Sequence, residues 1–342
     1  MLDVYAEYPA SVHKFAAYIG ADPKFLVNKA APELTVYTSF PPTHFVALYG
    51  TLKVLGAPFT YLNQQLFSLA IHLMCAILMY YLCRLLTRDK VIAVLGAAMY
   101  IFATGTMWYH MNVYWAHQLL MPVFLVALIV FVRRKGLMKW WESAGIGFAM
   151  SIIAWTGALA AVGFTAYGIY KFLTTKNRAY LNYLFMLAGM AAAIALAILQ
   201  VLLTTGASPG EYIDRVLHRV QARSLGSTTL PLAVKAWRVF SGLLIEYGGF
   251  ILIAYTLALK RKLQGFAWGV LFVSAFPLLE SFIIMEHDAV YGFGRLKWIV
   301  PVILTICLLG AKYATDKKRR IVLIAAVATA CFLHAILYLV TY

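Results

Sequence analysis

Five clusters of lysine and arginine divide this chain into long apolar stretches. Short loops rich in these residues stay on the cytoplasmic side of a membrane, and the stretches between consecutive clusters are long enough to cross a bilayer and return. The pattern therefore predicts an all-α polytopic membrane protein with a defined topology. The clusters are Arg84, Arg88 and Lys90; Arg133, Arg134, Lys135 and Lys139; Lys171, Lys176 and Arg178; Lys260, Arg261 and Lys262; and Lys312, Lys317, Lys318, Arg319 and Arg320.

The composition excludes the common soluble classes. Of the 342 residues, 63% are hydrophobic and only 12% are charged, which is more apolar than a soluble domain tolerates. A net charge of +16 would suggest nucleic-acid binding in a soluble protein, but 18 of the 29 basic residues lie in the five clusters. We therefore expect membrane lipids and no nucleic acid as partners. Four cysteines lie in apolar stretches without metal-ligand spacing and are interpreted as packing residues.

The hydropathy pattern predicts about ten helical segments. Residues 140–173 begin and end at basic clusters, so they enter and return as two pieces of roughly 15 to 17 residues, each about 25 Å long. Their turn is expected near Trp155, Thr156 and Gly157, inside the protein, because backbone at that depth must be buried or line a cavity. The other segments are single crossings at residues 63–86, 91–108, 118–132, 182–204, 238–259, 264–284, 297–312 and 321–340.

Two regions are distinguished along the chain. Residues 1–62 form an outer-face segment, and residues 63–342 form the transmembrane helical domain with an outer loop at 205–237. Most acidic residues fall on the outer side, whereas Glu246 and Glu280 lie inside predicted spans. This polarity predicts that the chemistry takes place at the extracytoplasmic face of a bacterial or archaeal cytoplasmic membrane. An outside N-terminus also requires a preceding helix, supplied upstream or by a partner.

Pro41 and Pro42 open a predicted helix that ends near Gly56, because proline is favoured in the first turn of a helix. Both ends of this segment lie outside, so it cannot span the membrane. We expect it to lie in the interface with its aromatic and aliphatic face toward lipid. A helix that merely covers the bundle is the alternative.

This layout resembles the polytopic GT-C glycosyltransferases that use polyprenyl-phosphate sugars, including their protein-mannosyltransferase-like members. The features that carry the resemblance are Pro41-Pro42 through Gly56, acids upstream of that motif, the short helical pair around Trp155-Thr156-Gly157, and Tyr291-Gly292-Phe293-Gly294-Arg295 before a late span. The resemblance implies transfer of a sugar from a polyprenyl-phosphate donor to a glycan, lipid or protein acceptor. It implies a carboxylate as catalytic base, for which Asp3 is the first candidate and Glu7 the second.

Donor-phosphate binding has two candidate segments. Arg215, Arg219 and Arg223 form one stripe of a predicted helix, where each guanidinium suits phosphate oxygens; a helix resting on anionic headgroups is the alternative. The second segment carries His287, Tyr291, Arg295 and Lys297 directly before an inward span. The resemblance favours Arg295 as a donor-phosphate ligand, with His287, Tyr291 and Lys297 as further candidates for substrate binding; for Arg295 and Lys297 ordinary snorkelling anchors are the alternative.

His117 stands at the start of a predicted span, in an aromatic stretch that suits the binding of a sugar. We expect no cofactor; a divalent metal ion is left open by the histidines and nearby acids, although their spacing is not that of a metal site. The competing function is a transporter or flippase of lipid-linked or small polar substrates. Such proteins place polar sites near the midplane and often contain inverted repeats, and the sequence shows no repeat.

Overall fold

The computed structural model describes residues 41–112, 114–205, 208–211, 213–214, 217, 231–283, 285, 288–289 and 293–341. Within these ranges the secondary structure is helical and includes no strand. Short 3-10 helices lie at Arg178–Tyr183, Phe276–Leu278 and Phe293–Trp298. The α-helices are α1 (Thr43–Val54), α2 (Tyr61–Thr87), α3 (Lys90–Phe102), α4 (Thr104–Asn112), α5 (Ala116–Arg133), α6 (Trp140–Ser151), α7 (Trp155–Thr175), α8 (Leu184–Thr205), α9 (Leu232–Lys260), α10 (Phe266–Ala275), α11 (Leu279–Ile283), α12 (Ile299–Tyr313) and α13 (Lys317–Thr341).

The long helices have the length and composition of membrane spans. Among the described residues, seven helical stretches are long and apolar enough to cross a bilayer, and α3 with α4 makes an eighth if this bent pair is one span. Each corresponds to a stretch between or beside the basic clusters, where some 20 apolar residues suffice to cross the hydrocarbon core. The described part of the chain is thus all-helical, and its long apolar helices are those of a multi-pass membrane protein.

The helices α6 and α7 occupy the position of the predicted short pair, but they are unequal and only α6 is short. The prediction of two pieces of similar length is wrong, because α6 has 12 residues and α7 has 21. At 1.5 Å per residue these helices are about 18 and 31 Å long. The chain breaks at residues 152–154, just before the predicted turn, and Gly157 lets the two helices approach: a Cβ there would lie 2.0 Å from the Met150 carbonyl oxygen.

Close backbone contacts also hold α6 against α8. A Cβ on Gly147 would lie 2.3 Å from the Met186 carbonyl oxygen, and one on Gly189 would lie 2.0 Å from the Ala144 carbonyl oxygen. In a bilayer the hydrophobic effect does not drive helices together, so small residues that allow such approach stabilise the pair through van der Waals contact. The short helix α6 is therefore positioned by its neighbour α8.

The basic clusters gather at one end of the bundle, called here the basic end. Arg320 forms an ion pair with Asp89, which joins the first and fifth clusters. Lys312 Nζ donates to the Lys262 carbonyl oxygen at 2.9 Å and joins the fourth and fifth. Lys135 and Lys171, from the second and third, border one cavity. The arrangement agrees with the topology expected from the sequence.

The helix α1 packs its apolar face on the bundle. Phe45, Leu48 and Leu52 are buried, so the expectation that this face turns toward lipid is wrong and the covering alternative describes the structure. Tyr114 donates a 2.6 Å hydrogen bond to the His44 carbonyl oxygen, and Thr43 Oγ1 donates to the Ile152 carbonyl oxygen at 2.5 Å. These bonds anchor α1 at the break between α6 and α7.

The bent pair α3–α4 turns by 55° at Ala103. The bend frees the Tyr100 carbonyl group from the helical ladder, and Thr106 Oγ1 lies 2.5 Å from its oxygen. Thr106 Oγ1 also lies 2.9 Å from the Ala103 carbonyl oxygen, which accepts in addition from the Met107 N–H. His72 Nε2 lies 3.3 Å from the carbonyl oxygen of Ile101. Non-helical backbone at membrane depth is tolerated when protein groups satisfy it in this way.

Candidate functional site

The 3-10 helix Phe293–Trp298 carries Arg295, the favoured phosphate ligand, and the further candidate Lys297. A 3-10 helix turns by about 120° per residue, so side chains two positions apart point in different directions. Arg295 accordingly reaches α9, and Lys297 reaches α11. The candidate site is built around these two ion pairs.

Lys297 lies in a sealed ionic cluster. Its Nζ is 2.9 Å from Glu280 Oε2 and 3.3 Å from Asp288 Oδ2, and the three side chains are 3%, 5% and 0% exposed, respectively. Ser281 Oγ also donates to Asp288 Oδ2. Gly294 makes room for this carboxylate, since a Cβ there would lie 1.9 Å from Asp288 Oδ1. The two carboxylates compensate the burial of the ammonium.

The break between α6 and α7 brings a hydroxyl and an imidazole to the same cluster. Thr156 Oγ1 donates to Glu280 Oε2 at 2.5 Å, and His117 Nε2 lies 3.0 Å from Thr156 Oγ1. Because a threonine has one hydroxyl proton, Thr156 accepts from His117, whose Nε2 therefore carries a hydrogen. A continuous chain of hydrogen bonds runs from His117 through Thr156 to Glu280 and Lys297.

Arg295 forms the second ion pair and is the more accessible cation. Its Nη2 lies 2.9 Å from Glu246 Oε1, with the guanidinium side chain 16% exposed. The Tyr109 hydroxyl donates to the same carboxylate oxygen at 2.9 Å. Gly242 gives the guanidinium its space, because a Cβ there would lie 1.2 Å from Arg295 Nη1. This arrangement holds a guanidinium at the edge of the bundle, where a phosphate can accept from it.

The structure brings three predicted residues together, His117, Arg295 and Lys297. His117 and Lys297 belong to one sealed cluster, and Arg295 belongs to the neighbouring pair. The other predicted site residues lie outside the described residues, and their roles stay predictions. They are Asp3, Glu7, Arg215, Arg219, Arg223, His287 and Tyr291.

Several members of the site were not predicted as such. Glu246 and Glu280 carry a signal in the sequence, because acids inside apolar spans are costly and usually have a partner or a function. The sequence predicts Thr156 only as part of a turn, and Asp288 carries no such signal. The contact of Thr156 with Glu280 joins residues 124 positions apart, and nothing in the local sequence indicates it. Asp288 lies nine positions before Lys297, and its contact with that residue appears only in the fold.

The described residues contain no group of three or more His, Cys, Asp and Glu side chains arranged to hold a metal ion. The divalent-ion alternative therefore has no candidate ligand set in that part of the chain. Comparisons with protein-family models, curated proteins and solved structures found no significant match. The two ion pairs and the resemblance of the sequence are therefore the features that bear on function.

Proposed function

We propose that this chain is an integral-membrane glycosyltransferase of the GT-C type. It transfers a sugar from a polyprenyl-phosphate donor to an acceptor at the extracytoplasmic face, opposite the basic end. The observation that carries the proposal is the guanidinium of Arg295, held by Glu246 and Tyr109 and partly exposed. A charged group at such a position in a membrane bundle is a default candidate for function.

The reaction has simple requirements. An oxygen of the acceptor hydroxyl attacks the anomeric carbon, and the bond from that carbon to the phosphate oxygen breaks. The electron pair leaves with the polyprenyl phosphate, and the hydroxyl proton passes to a carboxylate, for which Asp3 and Glu7 are the candidates. Charge grows on the departing phosphate, so a positioned guanidinium lowers the barrier.

Arg295 is better suited to this role than Lys297. Lys297 is buried between two carboxylates, whereas Arg295 pairs with Glu246 at 2.9 Å and remains partly exposed. A guanidinium donates several hydrogen bonds in a fixed plane, so Arg295 can hold a phosphate oxygen while it keeps Glu246. Lys297 then acts as a positioning residue that fixes the 3-10 helix.

The sealed cluster favours a second candidate function, a transporter or flippase. Lys297, Glu280 and Asp288 are buried near the ends of two candidate spans, and intramembrane charges of this kind occur along ion and substrate pathways. A transporter moves a lipid-linked sugar across the bilayer without breaking its glycosidic bond. The two functions are therefore distinguished by whether that bond is cleaved.

The test uses the full chain in liposomes with polyprenyl-phosphate sugars that carry a radiolabel in the sugar. We expect the labelled sugar to pass to a cell-envelope acceptor fraction. Arg295→Ala should slow this transfer by about 10²-fold or more, which is the usual effect of removing one hydrogen-bond donor to an anion that develops in the transition state. Asp3→Asn should abolish transfer without affecting polyprenyl-phosphate binding if it is the base.

Two controls separate the outcomes. Arg178→Ala removes an exposed arginine at the basic end and should leave transfer unchanged. Every donor of this class releases polyprenyl phosphate as its leaving group. The affinity for that lipid therefore tests phosphate binding by Arg295 even when the sugar is not known. The proposal fails if Arg295→Ala binds polyprenyl phosphate as wild type does, or if labelled lipid crosses the bilayer with its sugar intact.

A further inference from the structure

A cavity of about 890 Å³ opens at the basic end, far from the site described above. Its wall is formed by α7, the 3-10 helix Arg178–Tyr183 and the start of α10. Lys135 and Lys171 come from separate elements, the turn after α5 and the end of α7, and both line this cavity. The proposed transfer reaction makes no use of it.

Apolar and aromatic side chains line the rest of the cavity. Tyr170, Trp268 and Phe272 line it and are exposed. Phe272 lies six residues beyond the first residue of α10, about 9 Å along the helix axis. The apolar wall therefore extends from the level of the lysines toward the interior of the bilayer, along the path of an acyl chain.

The cavity is preformed by close packing. A Cβ on Gly269 would lie 2.5 Å from Tyr167 Cε2, so α10 approaches α7 as only glycine allows. The turn that carries Lys135 is fixed as well: Gly136 has φ of +77° and accepts a 3.2 Å hydrogen bond from the Tyr183 hydroxyl at its carbonyl oxygen. A ligand thus meets lysines whose backbone positions are already set.

The cavity carries two positive charges, Lys135 and Lys171. Neither Lys135 nor Lys171 forms an ion pair in the described part of the chain, where the nearby carboxylate of Glu142 is paired with Arg134. Lys171 Nζ lies 6.0 Å from the ring centroid of Tyr180, at the same wall. Basic pockets between membrane helices are complementary to anionic headgroups.

We infer that this cavity binds one anionic glycerophospholipid from the leaflet at the basic end. Its phosphate lies between Lys135 and Lys171, and an acyl chain follows Tyr170, Trp268 and Phe272. The ligand combines one negative group with a long apolar tail, which matches the two lysines and the apolar wall. This binding is independent of the proposed transfer reaction.

The test is quenching of tryptophan fluorescence in the delipidated full chain. Brominated phosphatidylglycerol and brominated phosphatidylcholine are titrated separately, and the signal of Trp268 is obtained as the difference between wild type and Trp268→Phe. We expect half-maximal quenching of Trp268 at a phosphatidylglycerol concentration roughly tenfold or more below the phosphatidylcholine concentration that gives the same quenching. The reason is that each lysine near the headgroup adds attraction for the anionic lipid.

The matched variants test the lysines. The double substitution Lys135→Gln and Lys171→Gln should abolish the preference, whereas Lys317→Gln with Lys318→Gln removes the same charge at the same end and should retain it. Equal quenching by both lipids in wild type, or an unchanged preference in the first double variant, overturns the inference. Selective displacement of phosphatidylglycerol by polyprenyl phosphate would also overturn it, because the cavity would then belong to that lipid.

Discussion

Arg295 and Lys297 are two residues apart, yet their side chains pair with carboxylates on different helices. Arg295 pairs with Glu246 of α9 and remains partly exposed, whereas Lys297 pairs with Glu280 of α11 and is sealed. The tight turn of the 3-10 helix separates the two side chains. Two neighbouring basic residues that look equivalent in the sequence thus differ in accessibility, and we expect them to respond differently to substitution.

Lys297→Met should strongly destabilise the protein. The substitution leaves the carboxylates of Glu280 and Asp288 buried without their cation, and removal of one partner of a buried ion pair costs roughly 3–5 kcal/mol. The measurement is thermal unfolding of the detergent-solubilised full chain. Lys297→Met combined with Glu280→Gln should recover part of the loss, and strictly additive effects would contradict a direct interaction.

Gly242→Ala should displace the guanidinium of Arg295, because a Cβ there would lie 1.2 Å from its Nη1. We expect weaker binding of polyprenyl phosphate by about tenfold or more, with the fold retained, since the end of a flexible side chain is what moves. Gly248→Ala on the same helix is the control, because its Cβ would have no neighbour closer than 3.9 Å. Similar affinities in both variants would speak against a positioned Arg295.

Thr106→Val should destabilise the bend between α3 and α4. The hydroxyl of Thr106 satisfies the carbonyl group of Tyr100, which the bend removes from the helical ladder, and an unsatisfied buried polar group costs roughly 1–3 kcal/mol. Thr256→Val is the control, because Thr256 is exposed and bonds the Leu252 carbonyl within an unbroken helix. Comparison of unfolding temperatures checks this, and equal shifts would contradict it.

Glu142 should make stability depend on pH in the acid range. Burial alone would raise the pKa of its carboxyl, but hydrogen bonds from Arg134 and from the Lys139 backbone N–H, together with their charges, hold the pKa below the ordinary value of 4.5. Because the folded state binds the proton less tightly, its stabilisation is full above pH 4.5 and is lost as the pH falls through the lower folded-state pKa.

Glu142→Gln should therefore lower the unfolding temperature at pH 7, and its difference from wild type should shrink below pH 4.5. Asp316→Asn is the control, since its pair with Arg319 is exposed on both sides and such surface pairs contribute little. A difference for Glu142→Gln that stays constant from pH 7 to pH 3 would contradict the role assigned to the ion pair.

The sequence predicts the crossings well because their signal is local. Apolar stretches between basic clusters correspond to the long helices, and the break at residues 152–154 falls close to the predicted turn because the chain there is too short for two full crossings. The orientation of α1 was not predictable, since the same face with Phe45 and Leu48 suits a lipid surface or a protein surface.

The site was only partly predictable, because its contacts join distant segments. Tyr109 and Glu246 are 137 positions apart, and Thr156 and Glu280 are 124 apart. An acid inside an apolar span indicates that a partner exists, but one sequence does not identify it. Nothing in the sequence around Lys297 indicates that its ammonium group points into the protein.

The ion pair between Lys297 and Glu280 also constrains how the chain enters the membrane. The ammonium and the carboxylate lie near the facing ends of consecutive candidate spans, and a charge in an apolar span opposes insertion, by about 2.5–3.5 kcal/mol at a helix centre and by less toward its ends. We expect residues 262–316 to leave the translocon as a preassembled hairpin, so Lys297→Met should reduce insertion of that fragment in microsomes more than Lys312→Met. Biosynthesis, and not only the finished protein, then depends on this pair.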